Sequence, residues 1–381
     1  RLHLEARDDR ARVGTDHLHV DAEVLELELD LPRQGFQRVL VVALRLRLGI
    51  VEQRQWRQVR AVGVDAIYFA IAAIGLNVQF GYTGLVNFGQ AAFMACGSYG
   101  LGMTAQYFGI GLWWGIPLGI VCVIILALIV GIPTLRLRAD YLAIVTIATA
   151  EIVRLFVRSV KFNKVFGGTE GISNFSREYR DLNPFEPGRT YGVSPFRFSG
   201  YTLITIIVGW ALVAIFAALV WQLMRSPWGR VIKGIREDED AVRSLGKNVY
   251  AYKMQSLIIG GIIGMFAGMV LALDRGSVQP DNYSRDVTFY VLTALVLGGL
   301  AKVSGSIVGS MLFWVLFVLS DNILREITRN GPLRIGDFTV IQSTQVGAVN
   351  YMFVGLGLML LMTYRPQGLF GNRKEMALDG R

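Results

Sequence analysis

The sequence predicts an all-α fold, a polytopic transmembrane helical bundle of about eight to ten membrane helices with some broken by glycine. Three observations predict it. Of 381 residues, 53% are hydrophobic and 18% charged, and mean hydropathy is +0.44, outside the usual range of a soluble domain of this size. The apolar residues gather in blocks of about 17–25, the length a helix needs to cross a hydrocarbon core ~30 Å thick. The excess of positive charge, formally +9, collects between those blocks.

The first 60 residues stand apart. They hold all three histidines (His3, His17, His19), eleven arginines and ten acidic residues, yet no lysine and no methionine, the first methionine being Met94. Such a bias marks either a basic tail or misassigned upstream sequence, and the second reading is favoured. The one apolar run, Val39 to Val51, carries Arg45 and Arg47 and is too short to span a membrane. Residues 1–60 are therefore expected to be disordered.

Apolar blocks follow near 64–82, 85–108, 113–134, 139–160, 200–224, 254–273, 286–300, 305–322 and 345–364, nine helical pieces within a membrane part running from 61 to 371. One soluble core cannot hide nine such segments joined by short polar loops. The first 60 residues contribute +1 to the net charge and the rest +8. Basic residues collect in 225–253 (Arg225, Arg230, Lys233, Arg236, Arg243, Lys247, Lys253), at Arg365, and in the tail 372–381 (Arg373, Lys374, Arg381). In a membrane protein this excess marks cytoplasmic loops, and no nucleic-acid partner is expected. Four blocks separate the loop 225–253 from the tail, so both fall on the inner side. Segment 161–199 then lies outside. Arg158, Lys161 and Lys164 sit against the charge rule there, which long loops tolerate.

Little in the chain points to catalysis. Cys96 and Cys122 lie inside apolar blocks and read as small buried hydrophobes, without histidine neighbours that would make a metal site. No G-x-S-x-G or H-E-x-x-H occurs. Gly246-Lys247 is followed by Asn248 where a phosphate-binding loop needs Ser or Thr. If ATP powers this protein, another chain binds it, and no cofactor or metal is expected on this one.

Two apolar stretches are interrupted by glycine. In Gly75-Leu-Asn-Val-Gln-Phe-Gly-Tyr-Thr-Gly-Leu-Val-Asn-Phe-Gly-Gln90, the glycines Gly81, Gly84 and Gly89 and the amides Asn77, Asn87 and Gln90 break the run. Backbone groups freed at membrane depth must be satisfied by protein or line a watery cavity. Asn77, Gly81, Thr83, Gly84, Asn87, Gly89 and Gln90 are thus candidates for a solute pathway, with close helix packing the other reading. Leu297-Gly-Gly-Leu-Ala-Lys-Val-Ser-Gly-Ser-Ile-Val-Gly309 is the second stretch, and paired broken segments often flank a central site. Lys302 is expected at a cytoplasmic turn rather than in a pore.

The loop 225–253 carries its own signals. Ser226-Pro227 suits a helix start, Asp238 an N-cap before Glu239 and Asp240, and Arg243 and Gly246 the end of that second short helix. Ala241, Val242 and Leu245 give a small apolar face, the mark of a loop built to dock into something.

Four ordered motifs carry a family resemblance: Gly81-Tyr-Thr-Gly-Leu-Val-Asn-Phe-Gly-Gln-Ala-Ala-Phe93, Asp140-Tyr-Leu-Ala-Ile-Val-Thr-Ile-Ala148 with Glu151 and Arg154, Gly167-Gly-Thr-Glu-Gly171, and Gly229-Arg leading to Ile235-Arg-Glu-Asp-Glu-Asp-Ala-Val-Arg-Ser-Leu-Gly246. With the ending Tyr364-Arg-Pro-Gln-Gly-Leu-Phe370, the stretch from about 64 to 371 resembles the M-type permease subunit of bacterial branched-chain amino acid ABC transporters. Two departures stand out. The family has a further membrane helix before the first one seen here, and 172–199, with Pro184, Pro187 and Pro195, has no counterpart in the pattern.

The resemblance implies an import permease in the bacterial inner membrane. Its implied partners are an H-type permease, two cytoplasmic ATP-binding subunits and an extracytoplasmic substrate-binding protein. It assigns 229–247 to a coupling loop, with Arg236, Glu237, Asp238, Ala241 and Gly246 as the expected ATPase contacts. Glu151 and Arg154, one turn apart, are expected to pair near a helix end. Rival readings are the same architecture importing urea or a short amide, and an ion-coupled secondary transporter or channel. The second is weakened because Asp65, Asp140, Asp286 and Asp321 fall near segment ends.

Overall fold

The computed structural model describes residues 63–136, 139–186, 189–191, 198–328, 333–335, 338–341, 345–364 and 368–370. The expectations for 1–60 and for the tail 372–381 lie outside the described residues. Within them the chain is helical, and each of the nine apolar blocks forms a helix.

Helix α1 runs over Gly63–Tyr82, its last turn, Asn77–Tyr82, wound as π-helix. Residues 84–89 carry no regular structure, and α2 begins only at Gln90 and ends at Met103, extended by a π turn at Thr104–Phe108. The block expected from residue 85 thus starts as a helix five residues later, because the three glycines let the backbone leave the helix before the amides are used up. Then come α3 (Gly115–Thr134) and α4 (Ala139–Arg158). After the segment 160–199 comes α5 (Gly200–Arg225), followed by the two short helices α6 (Pro227–Glu237) and α7 (Glu239–Ser244). The chain continues through α8 (Val249–Arg275), α9 (Arg285–Gly298), α10 (Val303–Ile327) and α11 (Val346–Tyr364).

Five helices, α1, α3, α5, α8 and α10, are each long and apolar enough to cross a membrane; for α3 the span counts from Leu112. Their burial separates centre from rim. The apolar windows of α1 and α8 are 83% and 72% buried inside the protein, against 33%, 28% and 28% for α3, α5 and α10. The reason is side-chain size: where α1 crosses α8, a Cβ added at Gly75 or at Gly260 would meet the other's carbonyl oxygen at 2.5 Å. Lipid tails are as apolar as leucine, so close backbone approach of this kind, not hydrophobicity, brings membrane helices together. Helix α8 also starts earlier than its apolar block. The Asn248 side chain accepts from Ala251 N at 3.1 Å and caps a first turn of Tyr250, Tyr252 and Lys253 that the hydropathy pattern misses.

Helix α9 has 14 residues, too few to span alone. It follows a 3-10 turn, Pro280–Tyr283, whose buried Tyr283 ring lies 6.4 Å from that of Tyr99 on α2. The turn Gly299–Lys302 joins α9 to α10, with Ala301 at φ +57° and Gly299 at φ +114°. Three short antiparallel ladders pair Ile172–Ser173 with Ser277–Val278, Thr190–Tyr191 with Phe198–Ser199, and Leu333–Ile335 with Phe338–Ile341.

The cations at the end of α4 are not all free. Arg154 binds Glu151 at 2.5 Å, as expected, and Asp281 at 2.9 Å, and Arg158 reaches the same Asp281 at 3.3 Å. One acidic residue on the neighbouring loop answers part of the positive charge that the charge rule would have placed inside.

Candidate functional site

Two neighbouring pieces make up the site: the loop between α5 and α8, and the broken segment between α1 and α2. The loop folds as its sequence dictates. Ser226 ends α5 and caps α6, its hydroxyl accepting from Gly229 N at 3.4 Å, and Pro227 occupies the first helical position, where its missing N–H costs nothing. Gly229, Ile232 and Ile235 bury one face of α6. The chain breaks at Asp238, extended at φ −154°, whose carboxylate accepts from Ala241 N at 2.9 Å and starts α7. Arg243 closes that short helix by pairing with Glu239 at 2.8 Å and Asp240 at 2.9 Å, while Lys253 at the start of α8 holds Glu239 from the other side. Gly246 takes the left-handed conformation at φ +74°, with nothing within 4 Å of where a side chain would start.

Glu237, Asp238, Ala241 and Gly246 are exposed. Two expected members of the docking face are not on it. Val242 is buried, packed against Gly234 of α6, because a helix so short has one side to spare and spends it on its neighbour. Arg236 is half-buried and turns toward the membrane part, where its Nη1 donates to Gly81 O at 2.5 Å; the Lys233 ammonium lies 5.9 Å from the centre of the adjoining Tyr82 ring. Leu245 does face out, at 78% exposure, one turn from Ala241. It belongs to the apolar face read from the sequence, though not to the five contacts that the resemblance implied.

In the broken segment the polar side chains are buried and partnered. Asn77 donates to Lys302 O at 3.1 Å and accepts from Ala301 N at 3.0 Å, which ties the π end of α1 to the turn between α9 and α10. Gln79 donates to Leu257 O at 3.0 Å and accepts from Asn87 at 2.7 Å. Gln90 donates to Gly260 O at 3.2 Å, and Asn87 Oδ1 receives Gly89 N at 2.7 Å. Thr83 binds Val78 O at 2.7 Å and the Ser256 hydroxyl at 2.6 Å. Each of these amides finds its partners within the protein, and in hydrocarbon each lost partner would leave a polar group costing roughly 1–3 kcal/mol.

The three glycines differ in their reasons. A side chain on Gly81 would overlap the Asn77 amide and the turn at Ala301, and one on Gly89 would meet Thr146 O at 2.7 Å. Gly84 sits at φ +76°, and a Cβ added there would lie 3.4 Å from the Arg236 side chain. From Gly84 to Gly89 burial alternates as in an extended strand: Leu85, Asn87 and Gly89 are buried, while Gly84, Val86 and Phe88 are partly open. No group of three or more metal-ligating side chains occurs among the described residues.

Residues 59–363 match the family model described as the permease component of branched-chain amino acid transport systems. The chain is 32% identical over 318 residues to the high-affinity branched-chain amino acid transport permease protein LivM of Salmonella typhimurium, covering 81% of this chain and 69% of that one. It is 30% identical to LivM of Escherichia coli K12, covering 79% and 67%, and 26% identical to a probable LivM of Methanocaldococcus jannaschii, covering 79% and 90%. With its bundle of membrane-length helices and a family match over most of its length, the chain is a multi-pass membrane protein that belongs to the branched-chain amino acid transport permease family.

Proposed function

We propose that this chain is the M-type permease subunit of an ATP-driven importer of branched-chain amino acids, working beside an H-type permease. Two cytoplasmic ATP-binding subunits and an extracytoplasmic substrate-binding protein complete the assembly. The chain itself hydrolyses nothing: ATP is bound and split on the partners, and this subunit converts their motion into a path for solute. One observation carries the reading. Exposed Ala241 and Leu245 form an apolar knob on a capped helix, and the helix before it is joined by Arg236 to Gly81, the point where α1 stops being regular. A push on the knob therefore acts on the end of α1 through the Arg236–Gly81 bond and the neighbouring Lys233–Tyr82 contact.

The substrate class follows from the family and agrees with the chemistry. Leucine, isoleucine and valine present aliphatic side chains, so their path needs apolar surface and few charges. The ion pairs found among the described membrane helices lie toward helix ends, as Glu151–Arg154 and Asp321–Arg325 do, which disfavours an ion-coupled mechanism. The test is uptake by the assembled importer in proteoliposomes. Labelled leucine, isoleucine and valine should accumulate with ATP inside, and urea and acetamide should not compete. Accumulation of urea with no response to leucine would replace the proposed substrate by the rival one.

A further inference from the structure

The alternation of burial along 84–89 separates two roles that the sequence presents as one. This stretch runs from the cytoplasmic surface, where Gly84 lies beside Arg236, to the level of Gln90, which bonds Gly260 near the middle of α8. Six extended residues span about 20 Å at most, enough to cross the inner half of a hydrocarbon core ~30 Å thick. Its backbone is held: Leu85 N donates to Gln79 O at 2.9 Å, Phe88 N to Thr146 Oγ1 at 3.0 Å and Gly89 N to Asn87 Oδ1 at 2.7 Å. One side is open. Val86 and Phe88 are partly accessible, the Phe88 ring lies 5.6 Å from that of Phe289 at the start of α9, and Phe289 is 37% exposed. The carbonyls of Val86 and Asn87 take no donor among the described residues.

Three things could cover that open side: lipid, a partner protein, or water and solute. Lipid is excluded on physical grounds, since non-helical backbone with unmet carbonyls does not face hydrocarbon. A flat protein interface would leave the same carbonyls to be met by the partner. A path for an aliphatic amino acid uses both features at once, because the solute carries an apolar side chain and an ammonium group that donates three hydrogen bonds.

We propose that Val86 and Phe88, with Phe289, form the apolar wall of the inner half of the solute path, and that the unmet backbone carbonyls of this segment receive in turn the ammonium group of the passing amino acid. The amides Asn77, Gln79, Asn87 and Gln90 hold this wall in place from behind. The inference rests on the importer reading given above and assigns the solute-facing residues within it.

The test reads accessibility rather than transport. Single cysteines are introduced as Val86→Cys, Phe88→Cys, Leu85→Cys and, as a lipid-facing control on α3, Ile129→Cys, which is 63% exposed at the wild-type residue. The background carries Cys96→Ala and Cys122→Ala, and the whole importer is assembled in proteoliposomes. A small, charged methanethiosulfonate should modify cysteines at 86 and 88 about tenfold or more faster than at 85 and 129, with leucine and loaded binding protein slowing the reaction during turnover. Modification only by a lipid-soluble maleimide, crosslinking of both positions to the second permease, or no modification by either reagent would each overturn the proposal. These failures leave wild-type leucine uptake untouched, whereas an importer that ignores leucine but is still labelled at 86 and 88 would sink the substrate assignment and keep the water-lined wall.

Discussion

The two glycine-interrupted stretches look alike in sequence and differ in what their glycines do. Around Gly81–Gly89 the chain leaves the helix for six residues, and buried amides tie the segment to α8 and to the turn after α9. Around Gly298–Gly309 the interruption is a single tight turn, Gly299–Lys302: α9 and α10 are continuous on either side of it, and the glycines lie face to face. A Cβ on Gly298 would overlap Gly305 O, and one on Gly309 would overlap Ala294 O. The returning chain closes the same corner, Leu369 N donating to Leu297 O at 2.9 Å and Phe370 N to Gly298 O at 3.1 Å. Glycine with amides marks backbone that leaves the helix; glycine with small apolar residues marks helices that touch. Both stretches interrupt helix, the first over six irregular residues and the second in a tight turn whose Ala301 N and Lys302 O are met by Asn77 of the first.

Variants can break this contrast. Arg236→Ala removes the join between the cytoplasmic loop and Gly81, and should lower uptake about 100-fold, the upper range of a coupling free energy between sites. Assembly and basal ATP hydrolysis should persist, so uptake at wild-type rates would show that the first stretch is not driven through this contact. Gly298→Val should do the opposite. Overpacking costs roughly 1–3 kcal/mol, so yield and thermal stability should fall while uptake per folded molecule holds; a stable variant that fails to transport would make the second stretch part of the path.

Smaller effects separate the loop from both stretches. Leu245→Asp places a charge on the exposed knob, and binding of the ATPase subunits in a pull-down titration should weaken about tenfold, with no change in helix content or melting. Unchanged binding would move the docking surface elsewhere on the loop. Gly246→Val meets no neighbour, so only the left-handed backbone resists it, at roughly 1–2 kcal/mol. A modest loss of coupling, below that of Leu245→Asp, should appear in the ratio of leucine imported to ATP split. A total loss would point to direct contact at Gly246.

Much of this was legible in the sequence, for identifiable reasons. Helix positions follow from blocks of apolar residues, and the capping of α6 and α7 from Ser226-Pro227, Asp238 and Gly246, since these signals are local. What escaped is tertiary. That Arg236 bends back to Gly81 depends on where α6 packs against the end of α1, and no neighbour within the loop reports it. Val242 and Leu245 are equally apolar, and only the presence of Gly234 on one side decides which is buried. Likewise the buried amides and the open Val86 and Phe88 alternate along one extended strand, and sequence gives the alternation no direction until α4 and α8 supply the inner side.

The most direct measurement places the chain in liposomes under an imposed proton or sodium gradient, first alone and then with its partner permease, ATP-binding subunits and loaded binding protein. Concentrative leucine uptake should be absent in the first case whatever the gradient, and should appear in the second only with ATP. Uphill accumulation by the chain alone, driven by the gradient, would contradict a path whose energy reaches it through α7 and Arg236.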